Sequence, residues 1–322
     1  MQRRTLLATI LAPLALPAVA RAQGFDHTIR IVVPFAPGGT SDILARILAP
    51  SLSRQLGQQV VVENRSGAAG MLGADLVAKG TPDGHTLLLI DTSALVTAPS
   101  LYARLPFDPL NDLAAVNLLI FAPYILAVNP ALPVANAAEL VALARARPAA
   151  VNFAHAGVGA ATHLGGLLLA QHWGADLTLV PYRGGAASVA AVAGGEAQLV
   201  INGATATAPF VRDGRLRGIA VTGPHRLGQG LENLPTFAEL GWPGQDAGTF
   251  QGVLVAGRTP PALVARLDEA FRTALAEPDN ARRMADLGAE IRSMGPAPFR
   301  AWLAAETQNW GRVVRANNIR LD

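Results

Sequence analysis

Cysteine is absent from the 322-residue chain, and lysine occurs once, at Lys79. The first absence removes disulfides, thiolate metal sites and a cysteine nucleophile. The second removes the Walker turn, which needs Gly-Lys-Ser/Thr, because Lys79 stands in a helical stretch outside any such pattern. Aromatic residues make up 5% of the chain and charged residues 15%, and no Lys/Arg cluster is interleaved with aromatics in the way that grips nucleic acid. Serine hydrolysis would want Gly-x-Ser-x-Gly on a strand-to-helix elbow, and that pattern does not occur. The six histidines (His27, His85, His155, His163, His172 and His225) show no His-x-x-x-His or Glu-bracketed spacing, so the expectation is no metal and no cofactor. An enzyme is not expected.

What is present is a chain that is 51% hydrophobic and long enough for two domains, each with its own core. Residues 1–22, "MQRRTLLATILAPLALPAVARA", have an Arg3-Arg4 pair, an apolar stretch and Ala20-Arg21-Ala22 as a small-x-small cleavage signal. Pro13 and Pro17 break the apolar stretch, which is too short to span a bilayer, so it reads as a cleaved export signal. The arginine pair fits both a plain secretory and a twin-arginine route to the periplasm. Three of the 26 basic residues and none of the 23 acidic ones lie there. The mature balance is therefore near zero, and nucleic acid is not an expected partner.

Beyond the signal, β-type and helical segments alternate, which implies βαβ units and parallel sheets. The strands expected early are 29–35, 58–64 and 85–90, with helices over 41–56 and 71–79 between them. Pro50 predicts a kink or local break in the first helix. A second set runs from a strand at Tyr124 to another at 217–222, and the chain closes with a strand at 250–256 and three helices. Crossovers near Pro123 and Thr222 divide the molecule into lobe 1, residues 23–123 plus 223–322, and lobe 2, residues 124–222. Two α/β lobes with a helical tail fit a hinged receptor.

One device recurs: a glycine-rich turn between a strand end and a helix start. It occurs in "APGGTSD", "RSGAAG", "GVGAATH" and "RGGAAS". Glycines let backbone N–H groups point at one spot, and a helix N-terminus adds partial positive charge, so such turns suit anions. The turn in "VPFAPGGTSDILARIL" can hold a nucleotide phosphate, a small carboxylate, or only its own helix end. Without a Walker lysine or a Gly-x-Gly-x-x-Gly at the first strand turn, a small carboxylate fits best.

The run "RIVVPFAPGGTSDILARILAPSLSRQLGQQVVVENRSGAAGMLGADLVAKGTPDGHTLLL", followed by "PSLYARLPFDP", "NFAHAGVGAATHL", "VPYRGGAA", "GRLRGIAVTG", "LPTFAELG" and "WGRVVRANNI", covers nearly all of the mature chain. In that order the segments resemble the Bug family of extracytoplasmic solute receptors, the binding components of tripartite tricarboxylate transporters. The resemblance implies a two-lobe periplasmic binding protein fold, type II or Venus flytrap, each lobe a mainly parallel sheet flanked by helices. It also implies a monomer that closes on a small carboxylic acid, be it a di- or tricarboxylate, an aromatic acid or an amino acid. The partners it implies are integral membrane subunits of a tripartite transporter or, alternatively, a periplasmic sensor kinase. In such receptors one turn from each lobe pinches a carboxylate. Mapped here, these are Phe35, Pro37, Gly38, Gly39, Thr40 and Asp42 from the first lobe, and Tyr182, Arg183, Gly184 and Gly185 from the second. Ser93, Gly157, Gly159, Thr162, His163 and Asn202 complete the expected site.

Two departures from the family pattern stand out. The chain has Ala154-His155-Ala156-Gly157-Val158-Gly159-Ala160 where the family commonly shows Ala-Ser-x-Gly-x-Gly-Ser, and Asp91 stands where a small polar residue is usual. If Asp91 and His155 both face the cleft, a fixed negative group and a titratable one favour a ligand with an amino or other donor group beside its carboxylate. The alternative is that Asp91 caps a backbone turn and His155 points into its lobe.

Overall fold

The computed structural model describes residues 24–316, so the expected export signal lies outside the described residues. The first half is built by strand–turn–helix units. Strand β1 (Ile29–Val33) leads into helix α1 (Thr40–Leu56), β2 (Val60–Asn64) into α2 (Met71–Ala78), and β3 (Thr86–Asp91) into α3 (Thr92–Leu101). β1 pairs in parallel with both β2 and β3. The apolar runs of β1 and β3 are buried on both faces, as covered parallel strands require. Helix α1 continues through Pro50 without a local break. Pro50 and Arg46 both lie on the exposed face of the helix, where a carbonyl left without its donor can bond water.

The long strand β4 (Leu113–Val128) carries the chain into the second half. There follow α4 (Ala137–Ala146), β5 (Asn152–His155), α5 (Ala161–Trp173), β6 (Thr178–Pro181), α6 (Gly185–Ala193), β7 (Leu199–Gly203), α7 (Ala204–Arg212) and β8 (Arg217–Val221). Strand β9 (Gly248–Ala256) returns to the first half. Helices α8 (Pro261–Ala276) and α9 (Pro278–Asp286), strand β10 (Glu290–Met294) and helix α10 (Pro296–Ala316) finish it. Because β4 runs out and β9 runs back, β9 is antiparallel to both β3 and β4. Each sheet is thus parallel at one side and antiparallel where the crossing strands join it. No helix among the described residues is long and apolar enough to cross a membrane.

Alternation along β4 shows how one strand serves two cores. Leu126 and Val128 face a cluster with Phe153, Trp173 and Phe237, whereas Ile125 and Ala127 face one with Val189, Val192 and Ala208. In the first half, Ile31 and Val33 pack against α1 and α8, while Val32 packs with residues of α2, α3 and α10. The crossover is tied by Thr222, whose hydroxyl receives the Tyr124 N–H at 2.7 Å and donates to the Ala247 carbonyl. Pro123 lies opposite Gly248, and a Cβ on Gly248 would come 2.2 Å from the Phe121 ring, so only glycine lets the two strands cross there. The segment expected to return to lobe 1 at residue 223 first packs on the second half. Leu231, Phe237 and Trp242 are buried in the second half's cores. β8 still pairs with β4 there, so the chain must cross that core before β9 begins.

Candidate functional site

The carboxyl ends of β1, β3, β5 and β7 converge on a cleft between the halves, where open α/β sheets place their ligands. A cavity of about 50 Å³ lies there. Of the expected residues, Phe35, Gly39, Thr40, Asp91, Ser93, Thr162, Gly185 and Asn202 line it. Gly157, Tyr182, Arg183 and Gly184 line a second hollow next to it, which shares Phe35, Ala69 and Ala156 with the cavity. The two opposed turns touch. A Cβ built on Gly38 would lie 3.8 Å from Ala186 Cβ, and one on Gly184 would lie 3.4 Å from Phe35 Cβ.

Helix starts dominate the wall. α1, α5, α6 and α7 begin at Gly39, Ala160, Gly184 and Gly203, and none of these N-termini has a side-chain cap. Gly39, Ala160, Gly185 and Gly203 all border the cavity. Leading N–H groups of a helix have no intrahelical partner and carry about half a positive charge between them. No lysine, arginine or histidine side chain lines the cavity among the described residues. The arrangement is therefore one for an anion held by backbone dipoles and hydroxyls.

Several expected contacts have other work. Asp42 is buried behind its turn, accepting from Gly38 N at 2.9 Å, from Arg46 Nε at 3.0 Å and from Asn64 Nδ2 at 3.0 Å. Burial pushes its pKa up, but these three partners outweigh that and hold the carboxyl below its ordinary value. It shapes the turn from behind and does not border the cavity. Pro37 and Arg183 are exposed at the rim. Thr162 presents its hydroxyl to Ala156 N at 3.0 Å, closing the Gly157–Gly159 turn.

Of the two positions left open for His155, the structure has it pointing into its lobe and not into the cleft. Its ring is buried, Nδ1 lies 3.0 Å from the Gly157 carbonyl, and it packs against the His163 ring at 4.6 Å between centroids. Burial, reinforced by His163 and opposed by the Gly157 carbonyl, lowers its pKa to about 4. His163 accepts from Gly159 N at 3.3 Å, and burial lowers its pKa too. Neither borders the cavity, nor does Gly159; the pair buttresses the turn.

Asp91 does both things the sequence left open. It caps α3, its Oδ1 accepting from Ser93 N at 3.0 Å and Ser93 Oγ at 2.8 Å, and it also lines the cavity. Beside it are residues the sequence did not single out. Ser41 Oγ donates to Gln251 Oε1 at 2.6 Å, and Gln251 Nε2 donates to Thr249 Oγ1. Tyr124 is buried with no hydrogen-bond partner for its hydroxyl. Burial and the neighbouring Asp91 push that phenol well above its ordinary pKa; the Ser93 hydroxyl, which pulls the other way, is taken by Asp91. Thr249 and Gln251 reach the site only through the antiparallel register of β9 on β3 and β4, for which no local motif exists.

One other cluster of metal-ligating type lies at the opposite end of the first sheet. Asp26, His27 and His85 have ligand atoms within 4.8 Å of one another, brought together across 58 residues of chain by the β1–β3 pairing, which histidine spacing alone could not show. The two imidazoles stack at 3.6 Å and 9°, so their in-plane lone pairs run side by side instead of converging.

Fold and site together define a periplasmic binding protein whose interlobe cleft is lined by helix N-termini. Residues 44–319 match the family model described as the tripartite tricarboxylate transporter family receptor, and the chain belongs to that family. It is 34% identical to Protein BugT of Bordetella pertussis over 326 residues, covering all of both chains. It also resembles MatC from Rhodopseudomonas palustris, solved with bound malate, at 30% identity and a TM-score of 0.85, covering 89% of this chain and 99% of that one. An R. palustris protein solved with adipate is 32% identical, with a TM-score of 0.87 over 92% of this chain and 99% of that one.

Proposed function

We propose that the protein is an exported receptor that encloses a small carboxylate between its lobes and hands it to the integral membrane subunits of a tripartite transporter. The observation that carries this reading is the convergence of four uncapped helix N-termini on one cavity with no cationic side chain in its wall. A carboxylate needs only two or three N–H or hydroxyl donors, whereas a phosphate of higher charge is usually met by Lys or Arg as well. The malate and adipate held by two relatives support the same ligand class. The crossing strands at Pro123 and Gly248, joined through Thr222, supply the natural pivot for closure.

A thermal-shift screen of the purified mature protein against mono-, di- and tricarboxylates and amino acids tests the reading. A ligand of the folded state at about 100 times its Kd adds about 2.7 kcal/mol of stability. At least one carboxylate should raise the melting temperature and shrink the radius of gyration in solution scattering. A response to phosphate or sulfate alone, or to no anion, would refute it.

A further inference from the structure

The cavity poses an electrostatic contradiction that rests on the carboxylate reading above. Its wall is arranged for an anion, yet the one charged side chain lining it is a carboxylate, Asp91. Capping α3 does not require that charge, since Asn, Ser or Thr caps a helix about as well. Oδ1 is occupied by the two Ser93 donors. A bare dicarboxylate placed here would set a second negative group against Asp91 with no cation to separate them. Next to it is Tyr124, which also lines the cavity and whose buried hydroxyl has no hydrogen-bond partner. A buried phenol in that position needs a ligand group to bond.

We propose that Asp91 reads an ammonium group carried beside the ligand's carboxylate, so that the physiological ligand is an amino acid and not a plain di- or tricarboxylic acid. The ligand's carboxylate lies on the α1 and α6 N-termini with the Tyr124 hydroxyl as a further donor, and its ammonium bonds to Asp91. The charges then balance inside the cleft. Burial raises the pKa of Asp91 against the pull of Ser93 and Thr249, and an ammonium in contact stabilises the ionised form. Malate and adipate carry no ammonium, so the inference separates this chain from the two relatives solved with those acids.

The test uses ligand pairs that differ only in the amino group, aspartate with succinate and glutamate with glutarate, titrated by calorimetry into the mature protein and its Asp91→Asn variant. Asparagine keeps the helix cap and the side chain's shape. In the wild type the better amino acid should bind at least about tenfold tighter than its partner. In Asp91→Asn that ratio should collapse to within about threefold, the amino acid weakening while the diacid holds or improves. Asp91→Ser, which also caps, should behave in the same way and guards against a fold defect peculiar to asparagine. The inference is overturned if the diacids bind the wild type as tightly as the amino acids, or if the variants shift both members equally. It is overturned as well, with the receptor reading intact, if citrate or benzoate binds and neither pair does. Should no carboxylate bind at all, the receptor reading itself fails.

Discussion

Adding one methyl group at Gly185 sets the start of α6 against the centre of the second sheet. A Cβ there would lie 2.1 Å from Asn202 Oδ1, 2.9 Å from its Cγ and 3.1 Å from its Nδ2. Asn202 is buried on β7, and its amide donates to Thr207 Oγ1 at 3.3 Å. Either the amide swings away and gives up that bond, or the helix start lifts from the cavity. Overpacking of this kind costs about 1–3 kcal/mol, and a lost hydrogen bond about 1 kcal/mol. Gly185→Ala should therefore lower the melting temperature by roughly 5–10 °C and weaken carboxylate binding by at least about tenfold, near 1.4 kcal/mol. Adding Asn202→Ala removes the obstacle and should restore most of the stability, a coupling read by a double-mutant cycle in thermal denaturation. A Gly185→Ala protein with wild-type melting temperature and affinity, or no recovery in the double variant, refutes the close packing of α6 on β7.

Gly39→Val should leave the fold intact by circular dichroism, because a Cβ there meets only Ala36 O at 3.7 Å and Ala186 N at 4.0 Å, yet cut affinity at least about tenfold as its methyls enter the gap between the turns. Asp42 holds a lowered pKa, so its contribution to stability is full above about pH 4 and is lost as pH falls through the folded value; Asp42→Asn should flatten the acid limb of a melting-temperature profile below pH 4, and an unchanged limb would argue against its role. His155 stays neutral until about pH 4 in the folded protein, whereas the unfolded chain protonates near 6.5. Stability is then lost as pH falls from 6.5 toward 4, by up to the order of 3 kcal/mol; His155→Asn, which can still donate to the Gly157 carbonyl, should show a smaller drop between pH 7 and pH 4.5, and an equal drop would count against the burial of that ring.

What could be read in the sequence was local. The strand–glycine turn–helix units announce themselves because a β-run, a turn with forced backbone geometry and a helical stripe lie within about twenty residues, and the structure places β1, α1, β2, α2 and β3 close to the expected spans. Pro50 causes no local break because it sits on the exposed side of α1, where losing one backbone donor costs least. Residues 223–247 were not legible because turn-rich sequence carries no periodicity, although Phe237 and Trp242 are core residues. Tyr124, Thr249 and Gln251 went unnoticed since they owe their place to strand register set by partners 79 or more residues away. His155 and Asp42 show the same limit at short range. The sequence places both near the turns, but only packing decides that one supports from below and the other from behind.

A crystal structure of the mature protein with aspartate tests the central claim most directly. The ligand should lie in the cleft between the halves, its carboxylate oxygens within hydrogen-bond distance of backbone nitrogens at the starts of α1 and α6, with no arginine, lysine or histidine side chain in contact. A ligand carboxylate held instead by the rim guanidinium of Arg183, or a ligand bound outside the cleft, would contradict recognition by helix N-termini.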